Sequence, residues 1–138
     1  MIPRVFVDAS AYVALLRRDD TKHTAAAAIF AGLQAHRAQL YTTYFAVAEA
    51  HALLLRYLGI PPARRFLQGL DASQITTLVH VEPADIAAAK ALLYRYTDKD
   101  FSLADAIAFT VMARLGLQTA FAFDDHFRQY GLLVLQPE

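Results

Sequence analysis

Short runs of apolar, often β-branched residues alternate with helix-forming stretches along the whole chain, and this alternation leaves few folds open. Val5-Phe6-Val7 reads as a first strand. Ser10 to Arg18 reads as a helix, and Thr24 to Arg37 as a second, alanine-rich one of good propensity. Gln39 to Thr42 is a second strand. Thr43 can cap a helix running to about Leu58, where Gly59 closes it and Pro61-Pro62 prevents continuation. Ala63 to Gly69 is a short helix, and the β-branched Ile75 to Val81 a third strand. Pro83 can open the next helix at its first turn, ending near Tyr96. Ser102 caps Leu103 to Leu115, with Gly116 after it. Thr119 to Phe123 is a fourth strand, Asp125 to Tyr130 a helical turn, and Leu132 to Leu135 a last strand. Such alternation predicts an α/β fold, a mostly parallel sheet covered on both faces. No repeat or linker interrupts the chain, so residues 1–138 are expected to form a single domain.

Open parallel sheets bind ligands beyond the carboxyl ends of their strands, where the strand order reverses. Two acids stand there: Asp8 directly follows Val5-Phe6-Val7, and Asp124 directly follows Ala120-Phe121-Ala122-Phe123. Either could equally be a turn former or helix cap. Glu49 has Phe45, Ala46, Ala52 and Leu53 as its helical neighbours, an apolar setting in which a carboxylate needs a metal or an arginine partner. Asp105 shares a stripe with Ala108, Phe109 and Met112. It also stands three residues after Ser102, close to a capping box, and the two roles are compatible.

Four of the 13 acids thus fall at strand ends or on apolar helix stripes. Oxygen-only ligands select hard cations such as Mg²⁺ or Mn²⁺. Without an ion, clustered carboxylates repel and raise one another's pKa values. The chain lacks cysteine, which excludes disulfides, thiolate nucleophiles and cysteine-based zinc sites and suits a cytoplasmic protein. His23, His36, His51, His80 and His126 are scattered, with no two at zinc-ligand spacing; His126, beside Asp124, reads as a surface or capping residue able to contact phosphate. No Gly-x-Ser-x-Gly elbow, Walker A loop or Gly-x-Gly-x-x-Gly fingerprint occurs. A covalent aspartyl-phosphate scheme at Asp8 is disfavoured by Ser10, since such phosphatases carry a second Asp at that position. No secretory signal and no apolar run of about 18 residues is visible, so no membrane association is expected.

Four segments together resemble the PIN-domain family. Val5-Phe6-Val7-Asp8-Ala9-Ser10 resembles its opening, Ala48-Glu49-Ala50 its second acidic motif, Ser102-Leu103-Ala104-Asp105-Ala106 its third, and Phe123-Asp124-Asp125-His126-Phe127 its fourth. The chain is most similar to the VapC-like toxins of prokaryotic toxin–antitoxin pairs. The resemblance implies a three-layer α/β/α fold around a central five-stranded parallel sheet. It implies a metal-dependent endoribonuclease cutting RNA, often structured RNA of the translation machinery, with Mg²⁺ as cofactor and Mn²⁺ as a substitute. It also implies a homodimer and a small antitoxin that covers the acidic site.

On this reading Asp8, Glu49 and Asp105 hold a divalent ion, and Asp124 completes the site or helps hold a second. Asp125 is adjacent and could replace Asp124. Ser10 and Ser102 are candidates for orienting carboxylates, although helix capping also accounts for both. Asp98 and Asp100 read as a solvated loop. With 13 basic and 13 acidic residues, net charge makes no case for nucleic acid. Contacts to RNA must come from local cations, for which Arg17-Arg18, Lys22, Arg64-Arg65, Lys99 and Arg128 are candidates, and from aromatic stacking. Two other readings stand beside the nuclease: a PIN-like module that binds RNA or protein without cutting, and a DNA-directed nuclease. Four intact acids argue against the first, and the shortness of the chain against the second.

Overall fold

A computed structural model describes residues 2–138. Its elements, in chain order, are β1 (Arg4–Val7), α1 (Ala9–Leu16), α2 (His23–Ala35), β2 (Gln39–Thr42), α3 (Tyr44–Leu58), α4 (Ile60–Ala72), β3 (Thr76–Leu78), α5 (Pro83–Arg95), α6 (Leu103–Leu115), β4 (Thr119–Phe121), α7 (Asp125–Tyr130) and β5 (Leu133–Val134). The five strands form one sheet of order β3-β2-β1-β4-β5, and every pairing is parallel. The expected α/β architecture is present.

Alternation along the central strands divides the core. Val5 and Val7 of β1, Leu40 of β2 and Phe121 of β4 face one cluster, packed with α1, α2, α3 and α4. Phe6, Ala120 and Ala122 face the other, packed with α5, α6 and α7. Phe6 is fully buried and stacks on Phe127, whose ring meets Phe109 edge-on at 5.1 Å. The strands are therefore apolar on both faces, as a parallel sheet between helices requires.

Several boundaries differ from expectation: β4 and β5 are shorter than read, α1 and α2 shift by one or two residues, and the largest changes are at α4 and β3. Pro61 and Pro62 do not delay the fourth helix to residue 63; they lie in its first turn, where proline has no N–H to lose. Gly59, at φ 90°, makes the sharp turn between α3 and α4. The third strand is also shorter than Ile75 to Val81. Glu82 and Asp85 form a capping box at the start of α5, which draws the chain off the sheet after Val79.

An ion pair not foreseen from sequence ties α5 to α6. Arg114 donates to both carboxylate oxygens of buried Asp85, at 3.0 and 2.8 Å, and to the His80 carbonyl at 2.9 Å. The Arg114 hydrogen bond holds Asp85 below its ordinary value of 3.8, against the opposing effect of burial. A lowered carboxyl pKa adds stability that is present above the ordinary value and lost as pH falls through the folded one. Asp85→Asn is therefore expected to melt below the wild type at pH 7, with the gap shrinking below about pH 4. Thermal denaturation of both proteins across this range checks it; a gap independent of pH would contradict it.

Candidate active site

The strand order reverses at β1, which lies between β2 and β4. The chain leaves β1 at Asp8 and β4 at Ala122, so the ends of these strands open side by side into the crevice at the switch point. Asp8 is anchored there: its N–H donates to the Phe121 carbonyl at 3.0 Å. Its Oδ2 caps α1, accepting from the Ser10 N–H at 3.1 Å and from Ser10 Oγ at 2.6 Å. Ser10 Oγ in turn accepts from the Phe123 N–H at 2.9 Å. Ser10 is thus no helix cap. It is a clasp fixing the Asp8 carboxylate to the end of β4.

Asp124 caps α7, accepting from the His126 N–H at 2.8 Å. Asp125, the alternative, points elsewhere: it is exposed and lies 3.4 Å from Arg128. Asp105 is buried and shares a capping box with Ser102, each side chain accepting from the other's backbone N–H at 3.0 Å. Capping and clustering are both true of Asp105, as anticipated.

Glu49 stands on the second turn of α3, and its surroundings are not those expected. The helix buries Ala46, Val47, Ala50 and Leu54, whereas Glu49 shares an exposed face with Phe45, 43% accessible. Among the described residues no arginine pairs with it. Partial burial raises its carboxyl pKa, and Asp8, Asp105 and Asp124 raise it further. Burial likewise raises Asp8; the Ser10 hydrogen bonds oppose this, and the charges of Asp124 and Asp105 add to it. All four acids are therefore near enough to feel one another. A site of mutually repelling carboxylates, two of them with raised pKa, fits a bound divalent cation.

The sequence misplaced His126. Its side chain is 22% accessible, with Nδ1 2.7 Å from Asp105 Oδ2 and 3.1 Å from Asp124 Oδ1. Its Nε2 lies 3.0 Å from Oδ1 of Asp100, which is a solvated loop residue as read, its side chain 92% accessible. Burial lowers the imidazole pKa, but Asp100, Asp124 and Asp105 outweigh it and hold the ring above its ordinary value. Asp98 fits the solvated reading, exposed and paired with Lys99 at 3.2 Å. Among the candidate cations, Arg17 is taken up by Asp19 at 2.9 Å and by the Tyr57 ring at 4.0 Å.

Two cavities, of about 670 and 1030 Å³, lie away from the acids: one at the amino ends of β1 and β4, the other beside α4. The acids occupy the rim of the sheet instead, a placement suited to a polymer substrate.

Fold and crevice define an α/β protein with an acidic centre at the switch point of a parallel sheet. The pattern of the PIN domain matches residues 5–133, and the chain belongs to that family. It is 31% identical over 137 residues to the 23S rRNA-specific endonuclease VapC20 of Mycobacterium tuberculosis, covering 97% of this chain and 99% of that protein. The crystal structure of that VapC20, described as a sarcin-ricin loop cleaving toxin, superposes with a TM-score of 0.88 at 28% identity over 96% of this chain and 99% of the other. FitAcB from Neisseria gonorrhoeae shares the fold, with a TM-score of 0.69 at 18% identity over 96% of this chain and 97% of the other.

The electrostatics make a prediction. A carboxyl whose folded pKa is raised opposes folding once ionised; its contribution is favourable below the ordinary value and lost as pH rises through the folded one. In chelator at pH 7, Glu49→Gln should melt above the wild type, and the gap should close as pH falls toward the ordinary glutamate value of 4.5. A variant that melts lower at pH 7 would show that repulsion does not govern this site.

Proposed function

We propose that this chain is a divalent-metal-dependent endoribonuclease of the VapC toxin type, acting as a single nuclease domain. The observation that carries the reading is the approach of Asp8, Glu49, Asp105 and Asp124 to one crevice, where burial raises the carboxyls of Asp8 and Glu49 and the charges of the other acids add to it. The match to the PIN domain and the likeness to VapC20 support it. These four acids hold the ion, Mg²⁺ or Mn²⁺. When bound, the ion polarises a phosphoryl oxygen and lowers the pKa of an attacking water.

The chain's own groups do the rest. Ser10 sets the Asp8 carboxylate against β4, and the capping box sets Asp105 at the start of α6. α1, α3 and α6 all begin at this end of the sheet, so the positive ends of their dipoles favour anions here, both the carboxylates and the substrate backbone. The substrate is RNA, and the 23S rRNA in the name of VapC20 points to a structured ribosomal target.

A small antitoxin silences the protein. A homodimer belongs to the same reading. No helix among the described residues is long and apolar enough to cross a membrane, and the chain acts in the cytoplasm.

Incubation with 23S rRNA in Mg²⁺ or Mn²⁺ tests the reading. The wild type should cut the RNA at a discrete position. EDTA should abolish cutting, and Asp8→Asn should lose it while keeping the helix cap, since asparagine caps as well as aspartate. Cleavage that persists in EDTA or in the variant would refute the metal centre, and binding without cleavage would favour a non-cutting module.

A further inference from the structure

His126 has the surroundings of a metal ligand. It joins Asp105 and Asp124 in a group whose donor atoms all lie within 4.8 Å of one another. Donors sharing one ion at roughly 2.1 Å each stand within about 4.2 Å of one another, so these three need little movement to do so. The Nδ1 atom is buried. Although carboxylate oxygens approach it at 2.7 and 3.1 Å, neither is aligned to form a hydrogen bond with it. The nitrogen and the two carboxylates thus converge on one point, as ligands of a shared ion would.

A second observation comes from the opposite side of the ring. Histidines that bind metals almost always pair the distal nitrogen with a carboxylate or carbonyl, which fixes the tautomer and aims the free nitrogen at the ion. Asp100 is placed to do this, its Oδ1 3.0 Å from Nε2. The Phe101 ring meets the imidazole edge-on at 5.5 Å and 90°, limiting its rotation. Asp100, Phe101 and Asp105 belong to one short segment around the start of α6, while Asp124 and His126 open α7. The two segments close on each other through this ring.

We propose that His126 Nδ1 is a nitrogen ligand of the metal centre, with Asp100 as its positioning residue, and that this mixed donor set favours Mn²⁺ over Mg²⁺. The inference rests on the metal-dependent reading given above. Its chemistry follows from donor type: Mg²⁺ is hard and keeps to oxygen, whereas imidazole nitrogen is a good ligand for first-row transition ions. Four carboxylates alone would discriminate less.

Pulsed electron paramagnetic resonance on the Mn²⁺-loaded protein reads this directly. Echo modulation should show a coordinated ¹⁴N nucleus that disappears in His126→Gln, and titration should show that this variant has lost part of the wild-type preference for Mn²⁺ over Mg²⁺. Asp100→Asn retains the ligand, so its nitrogen signal should remain while Mn²⁺ affinity falls about 10- to 100-fold. Bound Mn²⁺ without a nitrogen signal in the wild type would overturn the proposal and leave the carboxylate centre standing. Unchanged affinity in Asp100→Asn would remove Asp100 from it. Mn²⁺ binding that is absent, or indifferent to Asp8→Asn, would bring down the metal centre and the proposal together.

Discussion

The hydrogen bonding of β1 on both edges is the constraint from which the rest follows. It pairs with β2 on one side and β4 on the other, always in parallel. Parallel neighbours end at the same side of the sheet, so β1, β2 and β4 each hand the chain to a helix that starts there. Acids distant in sequence are brought to one crevice because the backbone leaves them no other place. Asp8 and Asp124 are 116 residues apart, yet the Asp8 N–H binds the Phe121 carbonyl at 3.0 Å.

Collecting like charges opposes folding, and the helix starts offset part of it. Asp8 and Asp124 cap helices, and Asp105 sits in a capping box, so three of the four carboxylates accept backbone N–H bonds. Such bonds favour the ionised form. Glu49, on the second turn of α3, is shifted only by desolvation and by the other acids. It is the acid most in need of a cation. The imidazole of His126 lies against two of the others, Asp105 and Asp124.

Much of this was legible in the sequence, for reasons that can be named. A polar residue closing an apolar strand marks the strand's carboxyl end, which located Asp8 and Asp124. The Ser102–Asp105 spacing announced a capping box, and α6 runs over Leu103–Leu115 as read. Glu49 was found through a faulty premise. α3 is apolar on most sides, so composition did not reveal that it buries Ala46, Val47, Ala50 and Leu54 and exposes Phe45. Pairings that cross the fold were out of reach. Nothing local joins Asp85 to Arg114, 29 residues on, or Asp100 to His126, 26 residues on. The sequence favoured Asp124 over Asp125 for its place nearer the strand end; in the structure the first caps α7 and the second faces Arg128.

The central claim is that four carboxylates from separate segments share a single cation. Anomalous diffraction from crystals soaked in Mn²⁺ tests it most directly. The account predicts a strong anomalous peak in the crevice beyond β1 and β4, coordinated by oxygens of Asp8, Glu49, Asp105 and Asp124. A crevice without a peak, or a peak that the oxygens of these four residues do not reach, would contradict it.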